Sequence, residues 1–427
     1  MKHTIKEITL SSGTKGLLID VPNSEVLNMK LYFRGGFQFG DFKKFEAPHL
    51  IEHHIFNATK NFPKKNQIMV EFAKNGAGNN AFTSSNFITY LAECAEFEYE
   101  HIFDLMMDLI ANPMFPKEHY ANERENVRTE LTGYLSDYAR QTHVLSSEVN
   151  FPELMLNFSE RIKQLDSITH EDIVAHYTST HQSHNANFVI TGATKTNEEG
   201  IIAKLEAIYS SLPQGERRAL KDPRGLGHAT PIVSHEDIEA DHFLLSWYID
   251  GGDDRERATG RILGTILTGG FGSRIYGKVR DEGLAYHISS GADISKASSS
   301  YAFSTYANPD KLERLFGLIA SECAAIATHG PTEEELQAAK DMVIGNITLR
   351  TQTTGAIAGW YAGDYAFEGD VQSYDDFFDM LRAVDIKMIQ KLAAKFFFSQ
   401  YHSSCHVGPI SMETAVELDK VLTPIWK

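Results

Sequence analysis

Cysteine is scarce in this chain: three in 427 residues, at Cys94, Cys323 and Cys405, with no C-x-x-C spacing. That excludes a disulfide scaffold and a cysteine-held metal site, and the three read as buried thiols in a reducing compartment. Positive charge is also short. Forty Lys and Arg stand against 57 Asp and Glu, a net charge of −17, which argues against nucleic acid or an anionic membrane as partner. No apolar run approaches the length of a membrane span, and the first residues, Met1-Lys2-His3-Thr4-Ile5-Lys6-Glu7, contain none. A cytoplasmic location is the default expectation. Hydrophobic residues make up 42% of the chain, enough to bury ample core in two domains of about 200 residues each.

What the chain has instead is histidine in one informative place. His49-Leu50-Ile51-Glu52-His53 is an H-x-x-E-H box, the inverted form of the zinc-protease motif. On a helix, His49 and His53 are four apart and share a face, so two imidazoles can close on one metal ion. Glu52 falls close to that face and can reach a water on the metal. The box lies in an apolar-spaced stretch, 47–56, with Pro48 suited to a first helical turn. A second helix is expected over 117–137. It carries Glu123 and Glu130, seven apart and so on one face, one as ligand and the other as a supporting carboxylate. Two nitrogens, one carboxylate and an open position describe a catalytic zinc site rather than a structural one.

The organisation reads as one unit used twice. In the first half, 79–92 has strand character, 96–111 is helical up to Asn112-Pro113, and Pro116 opens the Glu130 helix. In the second, 285–306 is strand-like, 309–328 is helical, and a helix to about Arg350 opens with Thr332 as N-cap and Glu335 three later. This recurrence predicts duplicated α+β domains: a metal-binding domain at 1–210, a Pro-, Gly- and charge-rich linker at 211–232, and a second domain at 233–427. Around 251–268, where the second half should repeat the box, there is no histidine, so metal chemistry is assigned to the first half. Gly269-Gly270-Phe271-Gly272-Ser273 lacks the Lys-Ser/Thr of a phosphate loop and is expected to be a turn. His176, His181 and His184 have no spacing suited to zinc and are read as incidental.

These motifs resemble the M16, or pitrilysin-like, zinc metallopeptidases. That family is marked by H-x-x-E-H followed 76 residues on by a glutamate, and 76 residues lie between His53 and Glu130 here. Gly78-Asn79-Asn80-Ala81-Phe82-Thr83-Ser84 is similar to the family's G-x-x-N-A-Y-T-S strand. The segment Ser273-Arg274-Ile275-Tyr276, continuing through Arg280 to Gly283-Leu284-Ala285-Tyr286, is similar to its S-R-L-Y and G-L-A-Y region. The spacing from Arg280 to Tyr286 is one residue shorter than usual. His54 stands where the family usually has Met; it points away from the zinc pair and is not expected to be a ligand.

The resemblance implies mainly antiparallel sheets packed by helices, arranged as a clamshell, and one Zn2+ per chain held by His49, His53 and Glu130. It implies a metalloendopeptidase in which Glu52 takes a proton from the zinc-activated water and passes it to the leaving amine. Glu123 would support the site. Asn80 and Ala81 would hold an extended peptide by strand addition, and Arg280 and Tyr286 would hold the substrate backbone and the oxyanion. Because zinc box and Arg/Tyr segment occur on one chain, a homodimer around a peptide substrate is expected, with a heterodimer as the other arrangement. Two rival readings remain: a catalytically silent partner subunit of the same fold, and a non-peptidase zinc-binding protein.

Overall fold

The computed structural model describes residues 1–221, 229–235 and 237–426; part of the expected linker, 222–228, lies outside the described residues. The chain forms two compact units. The first comprises Met1–Thr132, Ser159–Lys221 and Leu349–Val371, and the second Gly133–Phe158, Asp222–Thr348 and Gln372–Lys427. Among the described residues no helix is long and apolar enough to cross a membrane.

The first unit is built on six strands, β1 (Thr4–Thr9), β2 (Lys15–Asp20), β3 (Val26–Phe33), β4 (Gly78–Thr83), β5 (Ile88–Ala95) and β6 (Ala186–Gly192), in the order β1-β2-β6-β3-β5-β4. Only β2 and β6 run parallel. The stretch 79–92 is thus a hairpin and not one strand: Ser84 caps the turn by accepting from the backbone N–H groups of Asn86 and Phe87. The second unit has β7 (Ile232–Ser234), β8 (Asp241–Asp250), β9 (Ile288–Ile294), β10 (Ser298–Ala307) and β11 (His402–Gly408), in the order β7-β11-β8-β10-β9, with β7 and β11 parallel. Strand for strand, β7 to β11 repeat the order of β2 to β6. The duplicated α+β plan is therefore present at the level of topology. Large side chains of both sheets (Phe33, Tyr90, Phe188 in one; Trp247, Tyr301, Phe303 in the other) are fully buried.

The units are not the two halves of the chain. In each half, the helix that follows the long glutamate-bearing helix leaves its own half. Tyr138–Asn150 packs on β8 and β11, where Asn150 donates to Ser403 (3.0 Å), and Thr354–Glu368 packs on β3 and β6. Two glycines of the second of these face side chains of that sheet. A Cβ on Gly355 would come within 3.0 Å of the Glu93 carboxylate, and one on Gly359 within 3.7 Å of Lys30 Nζ. The helix Glu333–Arg350 opens as the sequence predicts, with Thr332 and Glu335 exchanging backbone-to-side-chain hydrogen bonds (2.7 and 3.2 Å) as a capping box.

The three clustered histidines are structural. His176 bonds the Gly35 carbonyl (2.7 Å). His181 stacks between Phe33 and Tyr177 and bonds the Tyr90 hydroxyl (2.8 Å), and half-buried His184 lies beside Gln214. Burial, reinforced by neighbouring His176, pushes His181 down to about 3.

Two outcomes follow. An unfolded histidine titrates near ~6.5, so below that pH the unfolded chain takes up a proton that folded His181 refuses. Stability is then lost as pH falls from ~6.5 towards the folded value. Thermal midpoints at pH 7, 6 and 5 should drop for wild type and drop less for His181→Phe; equal slopes would count against this account. Ile357 is fully buried on the exchanged helix, and Ile357→Ala should cost about 2–5 kcal/mol. Although Ile357 belongs to the C-terminal half, the loss of hydrogen-exchange protection should appear in β3 and β6 rather than in β8 and β11.

Candidate metal centre

The box forms the helix Ala47–Ile55, with Pro48 in the first turn as expected. Leu50, Ile51 and Ile55 are fully buried and anchor one side of the helix in the core. The 3.6-residue period then places His49 and His53 together on the other side, ring centroids 4.8 Å apart and planes at 79°. The helix Lys117–Tyr134 presents Glu123, Val127 and Glu130 at i, i+4 and i+7. Val127, fully buried, fixes that face inward and carries the two carboxylates with it.

The donor atoms converge. Nε2 of His49 lies 3.5 Å, and Nε2 of His53 3.3 Å, from the same Glu130 oxygen, Oε2. Tetrahedral ligands at ~2.0–2.2 Å from one ion stand about 3.3–3.5 Å apart, so these spacings suit three ligands of a single zinc-sized cation. Glu52 lies on the same patch: one ligand atom each from His49, Glu52 and His53 fall within 4.8 Å of one another. Burial disfavours charge on His49, but the carboxylates of Glu130 and Glu46 outweigh it and raise the ring to about 10. The site is arranged to stabilise a cation, a proton or a metal ion in its place.

Each of these groups is held from behind. His49 Nδ1 lies 2.8 Å from Glu46 Oε2, which leaves Nε2 as the free lone pair. Glu46 is itself fully buried and bonded to Arg161; burial opposes its charge, yet Arg161 and His49 hold its carboxyl below the usual range. Glu52 accepts from the Thr83 hydroxyl of β4 (2.8 Å). Burial pushes the Glu52 carboxyl up, partly offset by His49 and Thr83. Glu123 is buried, paired with Lys65 (3.2 Å) and Asn126 (2.9 Å). Asn57, another of its partners, donates to the backbone carbonyl of His53 (3.3 Å). Glu123 thus braces the end of the box helix through Asn57.

Sequence reasoning passed over Glu46, Thr83 and Arg161. The first has a local signal, a glutamate three residues before a ligand histidine and so within i,i+3 reach. Thr83 stands two residues after Ala81 in a strand already singled out. Arg161 has no local signal, since its partner lies 115 residues away.

The other expected residues fall as follows. Asn80 and Ala81 lie on β4, an edge strand with no outer neighbour among the described residues; Asn80 is exposed, and its side chain accepts from the Ala81 N–H (3.0 Å). Arg280 and Tyr286 belong to the second unit, where the guanidinium lies 4.5 Å over the phenol ring and donates to the Tyr286 carbonyl. The two line an open cleft of about 360 Å³ with Asn308 and Lys311. His54 faces the core against Phe115, Tyr120 and His170, away from the ligand pair. The 269–273 run is a turn closed by Ser273 N to Gly270 O (2.9 Å). In the second unit the helix in the place of the box, Asp254–Thr268, lies hard against edge strand β9. A Cβ on Gly260 would stand 2.7 Å from Ala292, and one on Gly264 3.2 Å from the Ser290 carbonyl. That helix carries no histidine.

A family model described as Insulinase (Peptidase family M16) matches residues 23–154, and one described as Peptidase M16 inactive domain matches residues 167–343. The chain is 25% identical over 420 residues to an uncharacterized zinc protease of Rickettsia felis, covering 96% of this chain and 98% of the relative. It is 21% identical over 405 residues to one of Bacillus subtilis, covering 93% and 97%. A crystal structure titled peptidase M16 inactive domain, from Pseudomonas fluorescens, superposes with a TM-score of 0.83 at 18% identity, covering 96% and 99%. A protease from Helicobacter pylori gives 0.82 at 17%, covering 95% and 100%. Two adjoining family models, matching relatives along nearly the whole length, and a shared fold lead to one conclusion: the chain belongs to the M16 peptidase family.

Proposed function

We propose that this protein is a zinc-dependent metalloendopeptidase that hydrolyses peptides or unfolded segments. The observation that carries the reading is the convergence of His49 Nε2 and His53 Nε2 on one oxygen of Glu130, with the Glu52 carboxylate beside them. When bound there, zinc supplies Lewis-acid activation of the attacking water and of the scissile carbonyl. Glu52 takes the proton of that water on its carboxylate and delivers it to the departing amine; its raised proton affinity suits both halves of that task. Thr83 fixes the rotamer from which it does so. The open edge of β4 at Asn80 and Ala81 receives the peptide as an added strand. Arg280 and Tyr286 supply hydrogen-bond donors to the substrate and its developing oxyanion. One chain carries both sets of residues, which favours a homodimer.

A mixed, quenched-fluorescent peptide library tests the reading, with zinc quantified in every sample. Wild type should cleave, and Glu52→Gln should keep its zinc and lose about 10²–10⁴-fold in rate. Full zinc without cleavage in wild type would turn the assignment towards a zinc-binding protein or a silent partner subunit. Chelation should abolish cleavage and added zinc restore it. A hydrogen bond to a charged group is worth ~1.5–3 kcal/mol, so Thr83→Val should lower kcat about tenfold at unchanged zinc content, and Thr83→Ser should keep it. An equal loss in both would mean that Thr83 acts only through packing.

A further inference from the structure

Glu46 is the N-cap residue of the box helix, yet its side chain caps nothing. It turns inward, fully buried, to reach Nδ1 of His49 with one oxygen and Nε of Arg161 with the other. Arg161 comes from a separate short helix, Phe158–Gln164. Its guanidinium lies 5.1 and 5.2 Å from the ring centroids of Phe37 and Phe45, which stack on each other at 4.7 Å. Gln164 of the same helix accepts from the Phe45 backbone N–H (3.1 Å), bolting that helix to the approach of the box.

Stability does not account for this arrangement. A buried ion pair roughly breaks even against well-packed apolar residues of the same volume, because desolvating two charges offsets their attraction. What the pair does supply is a fixed negative charge on the far nitrogen of one imidazole. A carboxylate there locks the tautomer, orients the ring and makes the opposite nitrogen a stronger donor; loss of such support typically weakens metal binding. His53 has a different support, Asn57 acting on its backbone carbonyl, so the ion pair acts on one ligand alone.

We propose that Glu46 and Arg161 form a positioning pair that sets the zinc affinity of the site through His49. The inference rests on His49 being a zinc ligand but not on peptide cleavage. Arg161 holds one oxygen of Glu46 and so points the other at the His49 ring.

The test is the zinc dissociation constant, measured by competition with a chromophoric chelator on the full-length chain. Three proteins are compared: wild type, Glu46→Gln, and the double variant Glu46→Gln with Arg161→Met. Glu46→Gln keeps an acceptor for the ring and removes the charge. The double variant also removes the arginine charge that Glu46 no longer balances. Thermal midpoints and near-UV circular dichroism of the metal-free proteins are recorded alongside. Both variants should bind zinc about 10–100-fold more weakly, with the midpoint of the double variant close to wild type. A double variant that binds zinc within about twofold of wild type overturns the proposal, and so does one that loses the native fold, because the pair would then serve the fold itself. A wild type that holds zinc tightly but cleaves no peptide would sink the peptidase reading and leave this one standing. A wild type that takes up no zinc would overturn both.

Discussion

Two imidazole nitrogens converge on one carboxylate oxygen at 3.3 and 3.5 Å, an arrangement that a shared cation stabilises. Much of the first unit can be read as a means of keeping that arrangement in place. The core anchors Leu50, Ile51 and Ile55 fix the rotation of the box helix, and Val127 fixes that of the helix opposite. The helix cannot rotate His49 and His53 away from Glu130 without lifting an apolar face out of the core, at ~25 cal/mol for each Å² exposed. The ligand geometry is therefore preorganised by hydrophobic packing, with directional hydrogen bonds adding the final orientation.

The two units show how little separates a helix that gathers His49, Glu52 and His53 from a plain helix on a sheet. Their strands follow the same order, and each places a helix beside the edge strand. In the second unit Gly260 and Gly264 bring that helix into contact with β9. In the first, the Thr83 hydroxyl of β4 reaches both the Glu52 carboxylate (2.8 Å) and the Pro48 carbonyl (3.5 Å) of the helix. The strand edge suited to a peptide and the carboxylate suited to proton transfer are joined by a single hydroxyl.

The box, Glu130, the capping box at Thr332 and the doubled α+β plan were legible in the sequence because each is written in local spacing: i,i+4 for the ligands, S/T-x-x-E for the cap, repeated strand–helix order for the duplication. Glu123 was legible as a supporting carboxylate, though the support passes through Asn57 to backbone and not to a ligand ring. Arg161 was not legible, since a buried ion pair between distant segments leaves no periodic trace. Nor was the exchange of helices between the units. Thr354–Glu368 carries Gly355, Gly359 and Gly363, a pattern that permits close packing without saying against which surface.

That exchange bears on how the protein is made. By the time residue 130 has left the ribosome, His49, His53 and Glu130 are all present, and by residue 192 so is every strand of the first sheet. The face formed by β3 and β6 nevertheless stays bare until Thr354–Glu368 is synthesised, when more than four-fifths of the 427 residues are complete. Domains generally fold as units, N-terminal first, but here the N-terminal unit must wait for a segment of the C-terminal half. The unit around His49, His53 and Glu130 is thus completed late in biogenesis, and a ribosome that stalls in the second half leaves a nascent chain with all three residues synthesised and an unfinished unit around them.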